Sequence, residues 1–68
     1  MDIKDYLNEI KEHIRKPKTD EIKIVIGITN FTVDEVEPNI KYFTEYFENG
    51  FSAYDAVRSI KKNQKKVV

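Results

Sequence analysis

The chain has no cysteine and no tryptophan, and only one histidine, two glycines and two prolines in 68 residues. Without cysteine, neither a disulfide framework nor a thiolate zinc site can supplement the core. A single histidine and no cysteine remove the usual nucleophile–base pairings of covalent catalysis, and Ser52 and Ser59 have no base near them in sequence. Gly27 and Gly50 stand far apart, so there is no glycine-rich phosphate loop. The longest apolar stretch, Ile24-Val25-Ile26-Gly27-Ile28, falls far short of the ~20 residues a membrane span needs. The first twenty residues are charged throughout and lack the apolar run of a signal peptide. These absences lead us to expect a cytoplasmic, non-enzymatic protein with no cofactor, metal, membrane or small-molecule substrate.

What remains is a globular composition, 40% apolar and 35% charged, in 8.1 kDa. A chain of this mass buries roughly 62% of its extended surface, which is enough for one core and one domain spanning 1–68. Dimerisation is a natural way to enlarge so small a core, and a homodimer is expected. Formal net charge is zero, from 12 basic and 12 acidic side chains, but the signs are segregated. Residues 24–49 carry Asp34, Glu35, Glu37, Glu45 and Glu48 against Lys41, a net −4. Residues 50–68 carry Arg58, Lys61, Lys62, Lys65 and Lys66 against Asp55, a net +4. Such a dipolar chain can dock an anionic surface through its tail or pair tail to middle with another copy.

Three segments read as helical. Over 2–15, Ile3, Tyr6, Leu7, Ile10 and Ile14 recur at spacings of three and four, acids precede and bases follow, and Pro17 stops the run. His13 has no neighbouring ligand and reads as partly exposed. Over 32–48, Thr32-Val33-Asp34-Glu35 forms a capping box, with Phe31 and Val36 at the staple positions. Pro38 either kinks this helix or begins a second one; Ile40, Phe43 and Phe47 are assigned to the core and Tyr42 and Tyr46 to its flank. Over 51–64, Asn49-Gly50 closes the preceding helix, Ser52 caps, and Ala53, Ala56, Val57 and Ile60 form a narrow apolar stripe. A basic, frayed tail is expected over 61–68.

Residues 19–29 support two readings. With period two, Ile22, Ile24, Ile26 and Ile28 share one face, and the β-branched content favours a strand over 22–29. No other segment offers a partner strand, so this reading implies α+β with pairing across a dimer. Alternatively, Thr19 or Asp20 caps a helix over 20–27 that Gly27 ends, giving a mostly α domain of about four helices.

In the helical reading, Ile22, Ile26, Gly27 and Ile28, followed by Val33 and Val36, resemble the helix-turn-helix pattern of DNA-binding proteins over residues 20–37. Two short helices crossing steeply need a glycine to turn and apolar contacts to hold their angle. Lys23 stands where that family usually has a small residue, and Asp34, Glu35 and Glu37 stand on the segment that would approach DNA. The strand reading is similar to the ribbon-helix-helix family, whose paired strands enter the major groove. Both resemblances imply a small DNA-binding regulator, of phage or plasmid type. Its candidate contacts are Lys16, Lys18, Lys23, Asn30 and Thr32, with Arg58, Lys61, Lys62, Lys65 and Lys66 on phosphates.

The alternative is a protein–protein interaction module, an inhibitor or adaptor. It would use the acidic, aromatic surface over 34–48, with Phe31, Asp34, Glu35, Tyr42, Tyr46 and Tyr54 as the interface candidates. Neutral total charge favours this second class, because DNA-binding domains of this size are commonly basic.

Overall fold

The computed structural model describes residues 1–62. Among them lie four α-helices and one short 3-10 turn: α1 (Ile3–Arg15), α2 (Asp20–Thr29), the 3-10 turn Val33–Glu35, α3 (Ile40–Glu48) and α4 (Ala53–Arg58). The mostly α architecture holds, and no strand occurs among the described residues.

α1 begins where the Asp2 side chain accepts from the Asp5 N–H at 2.9 Å, and it buries Tyr6, Ile10 and Ile14. α4 is capped in the same way, by Ser52 accepting from the Asp55 N–H at 3.1 Å. Each cap satisfies a backbone donor that the first helical turn leaves without an internal partner. The two helices pack against each other, with Ala53 and Ala56 giving the small surface that close approach requires. Ile22, Phe31, Val36, Phe43, Val57 and Ile60 complete the core. Burying each of the large side chains contributes about 1.5–3 kcal/mol.

The strand alternative over 22–29 is overturned. Thr19 accepts from the Ile22 N–H at 3.3 Å, and Asp20 and Glu21 complement the positive end of the helix that follows. A lone strand would leave a row of backbone groups unpaired, whereas a helix satisfies them internally, so β-propensity yields to tertiary context. Gly27 does not end α2. The helix runs through it to Thr29, whose hydroxyl donates to the Val25 carbonyl at 2.7 Å and accepts from the Phe31 N–H at 3.2 Å. Asn30 then takes the left-handed conformation (φ 54°) and closes the helix through its N–H to the Ile26 carbonyl.

The continuous kinked helix over 32–48 is also corrected. Glu35 folds back to accept from the Thr32 N–H at 2.7 Å, as the capping box predicts, and the Thr32 hydroxyl donates to the same carboxylate oxygen at 2.7 Å. That cap opens only the three-residue turn Val33–Glu35, and tight turns through Asn39 lead into α3. Pro38 has no N–H for the carbonyl four residues back and its ring crowds that carbonyl, and the chain forms turns rather than helix there. Gly50, at φ 82°, reverses the chain after α3 as expected.

α4 ends at Arg58, well short of the expected 64. Its apolar stripe finishes at Ile60, and the Tyr42 hydroxyl donates to the Ser59 carbonyl at 2.9 Å, the acceptor a longer helix would use. Of the expected basic tail, only Lys61 and Lys62 lie within the described residues.

Candidate interaction surface

α2 consists of Asp-Glu-Ile-Lys-Ile-Val-Ile-Gly-Ile-Thr, and a helix of that sequence has more apolar side chains than one face can bury. At 100° per residue, Ile22, Val25, Ile26 and Thr29 fall together, and these are the residues turned inward. Ile24 and Ile28, one turn apart, fall on the outer side and are 58% and 61% exposed. Gly27 lies beside them, and a Cβ built there would meet nothing within 4 Å. The result is two aliphatic knobs next to a gap with no side chain. Asp20 and Lys23 share this outer side, and Glu21 borders it.

The far edge of Glu21 is tied to α4. Its carboxylate accepts from the Tyr54 hydroxyl at 2.8 Å and pairs with Arg58 at 3.4 Å, and Arg58 also reaches Asp55 at 3.5 Å. Thr19 and the Tyr54 hydroxyl lie 3.1 Å apart. The His13 and Tyr54 rings meet in a T-shaped pair, with centroids 5.8 Å apart. This polar seam lies along the side of α2 that faces α4, and Ile24 and Ile28 point away from the body of the molecule.

The sequence-derived interface candidates are placed differently. Phe31 is only 1% exposed and packs edge-on against Phe43, so it belongs to the core and cannot meet a partner. Tyr42 and Tyr46 are half-buried, with ring centroids 5.0 Å apart. The Ser59 and Tyr42 side chains beside it, helped by the Lys61 and Arg58 charges, hold the Tyr46 phenol below its ordinary pKa. Tyr54 belongs to the seam just described, and Glu35 is folded into its cap. Asp34 is exposed. Ile40, assigned to the core from its spacing, is 43% exposed instead, because α3 begins only at that residue.

Among the nucleic-acid candidates, Lys16, Lys18, Lys23, Asn30 and Thr32 are all exposed, but they are strung along α2 and both its ends rather than gathered. Arg58 is engaged by Glu21 and Asp55. Lys61 and Lys62 are exposed, while Lys65 and Lys66 lie outside the described residues.

Two shallow grooves also mark the surface of the described residues. One, of about 280 Å³, is lined by Met1, Tyr6, Glu9, Phe47 and the Gly50–Ala53 turn. Tyr6 spends its hydroxyl there on the Phe51 and Ser52 carbonyls, at 2.9 and 3.0 Å. Burial, reinforced by the nearby Asp55 and Glu9 charges, raises the Tyr6 pKa above 10.0. The other, of about 380 Å³, lies over Pro38, Asn39, Lys41, Tyr42 and Glu45. Among the described residues no group of acids and histidine could hold a metal ion, and no helix is long and apolar enough to cross a membrane.

Helical periodicity applied to residues 22–28 would have found the outer face. Alternation by two places all four isoleucines together, whereas 3.6 residues per turn divides them into an inner and an outer pair. No family model matches the chain, and no curated protein or solved structure matches it either.

Proposed function

We propose that the protein is a non-catalytic protein-interaction module that presents the outer face of α2 to an apolar helix of its partner. The observation that carries this reading is the exposure of Ile24 and Ile28 beside the open Gly27. Both isoleucines are held outward on a capped helix whose inner face is already packed. Apolar side chains on one helix face are the usual anchors of helix-in-groove and helix-on-helix recognition.

DNA binding is the second reading. What favours it is that Lys16, Lys18 and Lys23 are exposed and in no ion pair among the described residues. Weighing against it, the segment cast as a recognition helix is one 3-10 turn bearing Asp34 and Glu35. A major-groove reader needs a helix or ribbon with donors or amides at base edges, and carboxylates there face phosphates.

Photo-crosslinking in the source cell separates the two. A benzophenone amino acid replaces Ile28 in one strain and the exposed Lys4 in another. The interaction reading expects a discrete protein adduct from position 28, absent from position 4 and lost when Ile24→Lys is added. No protein adduct at position 28, with salt-sensitive binding of a random duplex centred on Lys16, Lys18 and Lys23, would transfer the assignment to DNA.

A further inference from the structure

The outer face of α2 is complementary to itself, and we infer that a second copy of this chain is an occupant, with the two α2 helices packed antiparallel about a two-fold axis. This inference rests on the interaction-module reading and names the partner of the same face.

Shape comes first. A two-fold contact presents the same patch from both sides, so each patch must supply both knob and hole. Ile24 and Ile28 are the knobs, and Gly27, with nothing near its missing Cβ, is the hole. With the axis at the level of Ile26, Ile24 of one copy lies opposite Ile28 of the other.

Charge selects the direction. Asp20 sits on the outer side of α2 at its N-terminus. Parallel helices would set two Asp20 carboxylates side by side, whereas antiparallel helices separate them by about 18 Å at 1.5 Å per residue. The antiparallel arrangement also aligns the helix dipoles favourably and brings Lys23 toward the carbonyl end of the partner helix.

Area sets the strength. Ten residues of helix make a contact about 15 Å long, which buries well under the ~800 Å² per partner of a standard interface. Association is accordingly weak and concentration-dependent. It also serves α2 itself, since Ile, Val, Thr and Gly are indifferent to poor helix formers and depend on packing to stay helical.

Sedimentation of the full chain from about 10 µM to about 1 mM, a range that spans weak dimer affinities, tests this. The weight-average mass should climb from 8.1 kDa toward twice that value. Ile28→Lys puts a cation at an exposed site near a helix C-terminus, so it should keep wild-type helicity and remain monomeric throughout. Gly27→Ala should fold more stably, because alanine favours the helix and meets no neighbour. Filling the hole should nevertheless raise the dimer dissociation constant about fivefold or more.

A wild-type chain that stays at 8.1 kDa at the highest concentration overturns the inference, as does an Ile28→Lys chain that dimerises like wild type. If the chain is monomeric and benzophenone at position 28 captures a different protein in cells, self-pairing fails while the interaction module stands. If neither association appears, both fail.

Discussion

The aromatic side of the molecule and the aliphatic helix α2 hold their apolar surface in different ways. On the aromatic side, rings meet in sequence: Tyr6 with Phe47 at 5.0 Å, Tyr42 with Phe43 at 5.2 Å, and Tyr46 with Phe51 at 5.1 Å. Two of the tyrosines are also tethered by their hydroxyls, Tyr6 to the Phe51 and Ser52 carbonyls and Tyr42 to that of Ser59. A tyrosine near the surface is thereby fixed to its own fold. α2 contributes no ring, and its isoleucines carry no polar handle. An isoleucine is either inside, like Ile22, or left with bare apolar surface, like Ile24 and Ile28. The half-buried tyrosines therefore brace the fold from within, Phe51 alone among the aromatics stays half exposed where it meets Tyr46, and α2 presents bare aliphatic surface.

The contrast is broken most severely by comparing two isoleucines of one helix. Ile22→Ala removes a side chain that is 0% exposed and should lower unfolding stability by about 2–5 kcal/mol. Ile24→Ala, two positions on, should change it by no more than about 0.5 kcal/mol in dilute monomer. Urea denaturation of both variants measures the difference, and equal losses would mean that α2 does not turn the inner and outer faces described here.

The tethering of the aromatic side is sharpened by Tyr6→Phe, which leaves the ring in place and takes the hydroxyl donor from the Phe51 carbonyl, while that of Ser52 keeps the Ala56 N–H. The expected loss is about 1 kcal/mol at neutral pH. The tyrosine's raised pKa adds a pH signature. Its contribution is fully present below pH 10.0, the ordinary tyrosine value, and is lost as pH climbs through the higher folded value. Wild type and Tyr6→Phe should therefore converge in stability above pH 10, as read from thermal melts; a constant gap would show that the hydroxyl is not buried on its carbonyls.

The smallest effect concerns the end of α2. Asn30→Gly relieves a left-handed residue and should raise stability by a few tenths of a kcal/mol, or leave it level once the added freedom of the unfolded chain is counted. A loss above about 1 kcal/mol would indicate that the Asn30 side chain does more than tolerate its backbone conformation.

Much of the fold was legible in local chemistry. Thr19 and Ser52 cap the helices they were suited to cap, Gly50 makes its turn, and Ala53, Ala56, Val57 and Ile60 are buried as their spacing requires. The misreadings share a cause, which is that local pattern does not report what lies across the chain. Phe31 looked like a surface anchor because acids surround it in sequence, yet Phe43 closes over it from α3. Tyr54 looked free until α2 brought Glu21 to its hydroxyl.

By itself the sequence established the absence of cysteine and marked three helical segments, because composition, caps and apolar spacing are properties of neighbouring residues. The tertiary structure alone decided the state and orientation of residues 20–29. β-Branched residues there satisfy either period, and the absence of a strand partner, the Thr19 cap and the Glu21–Tyr54–Arg58 seam together select a helix and choose its outer face. Which isoleucines a partner can reach follows from that choice, because a helix divides the four that a strand would have kept together.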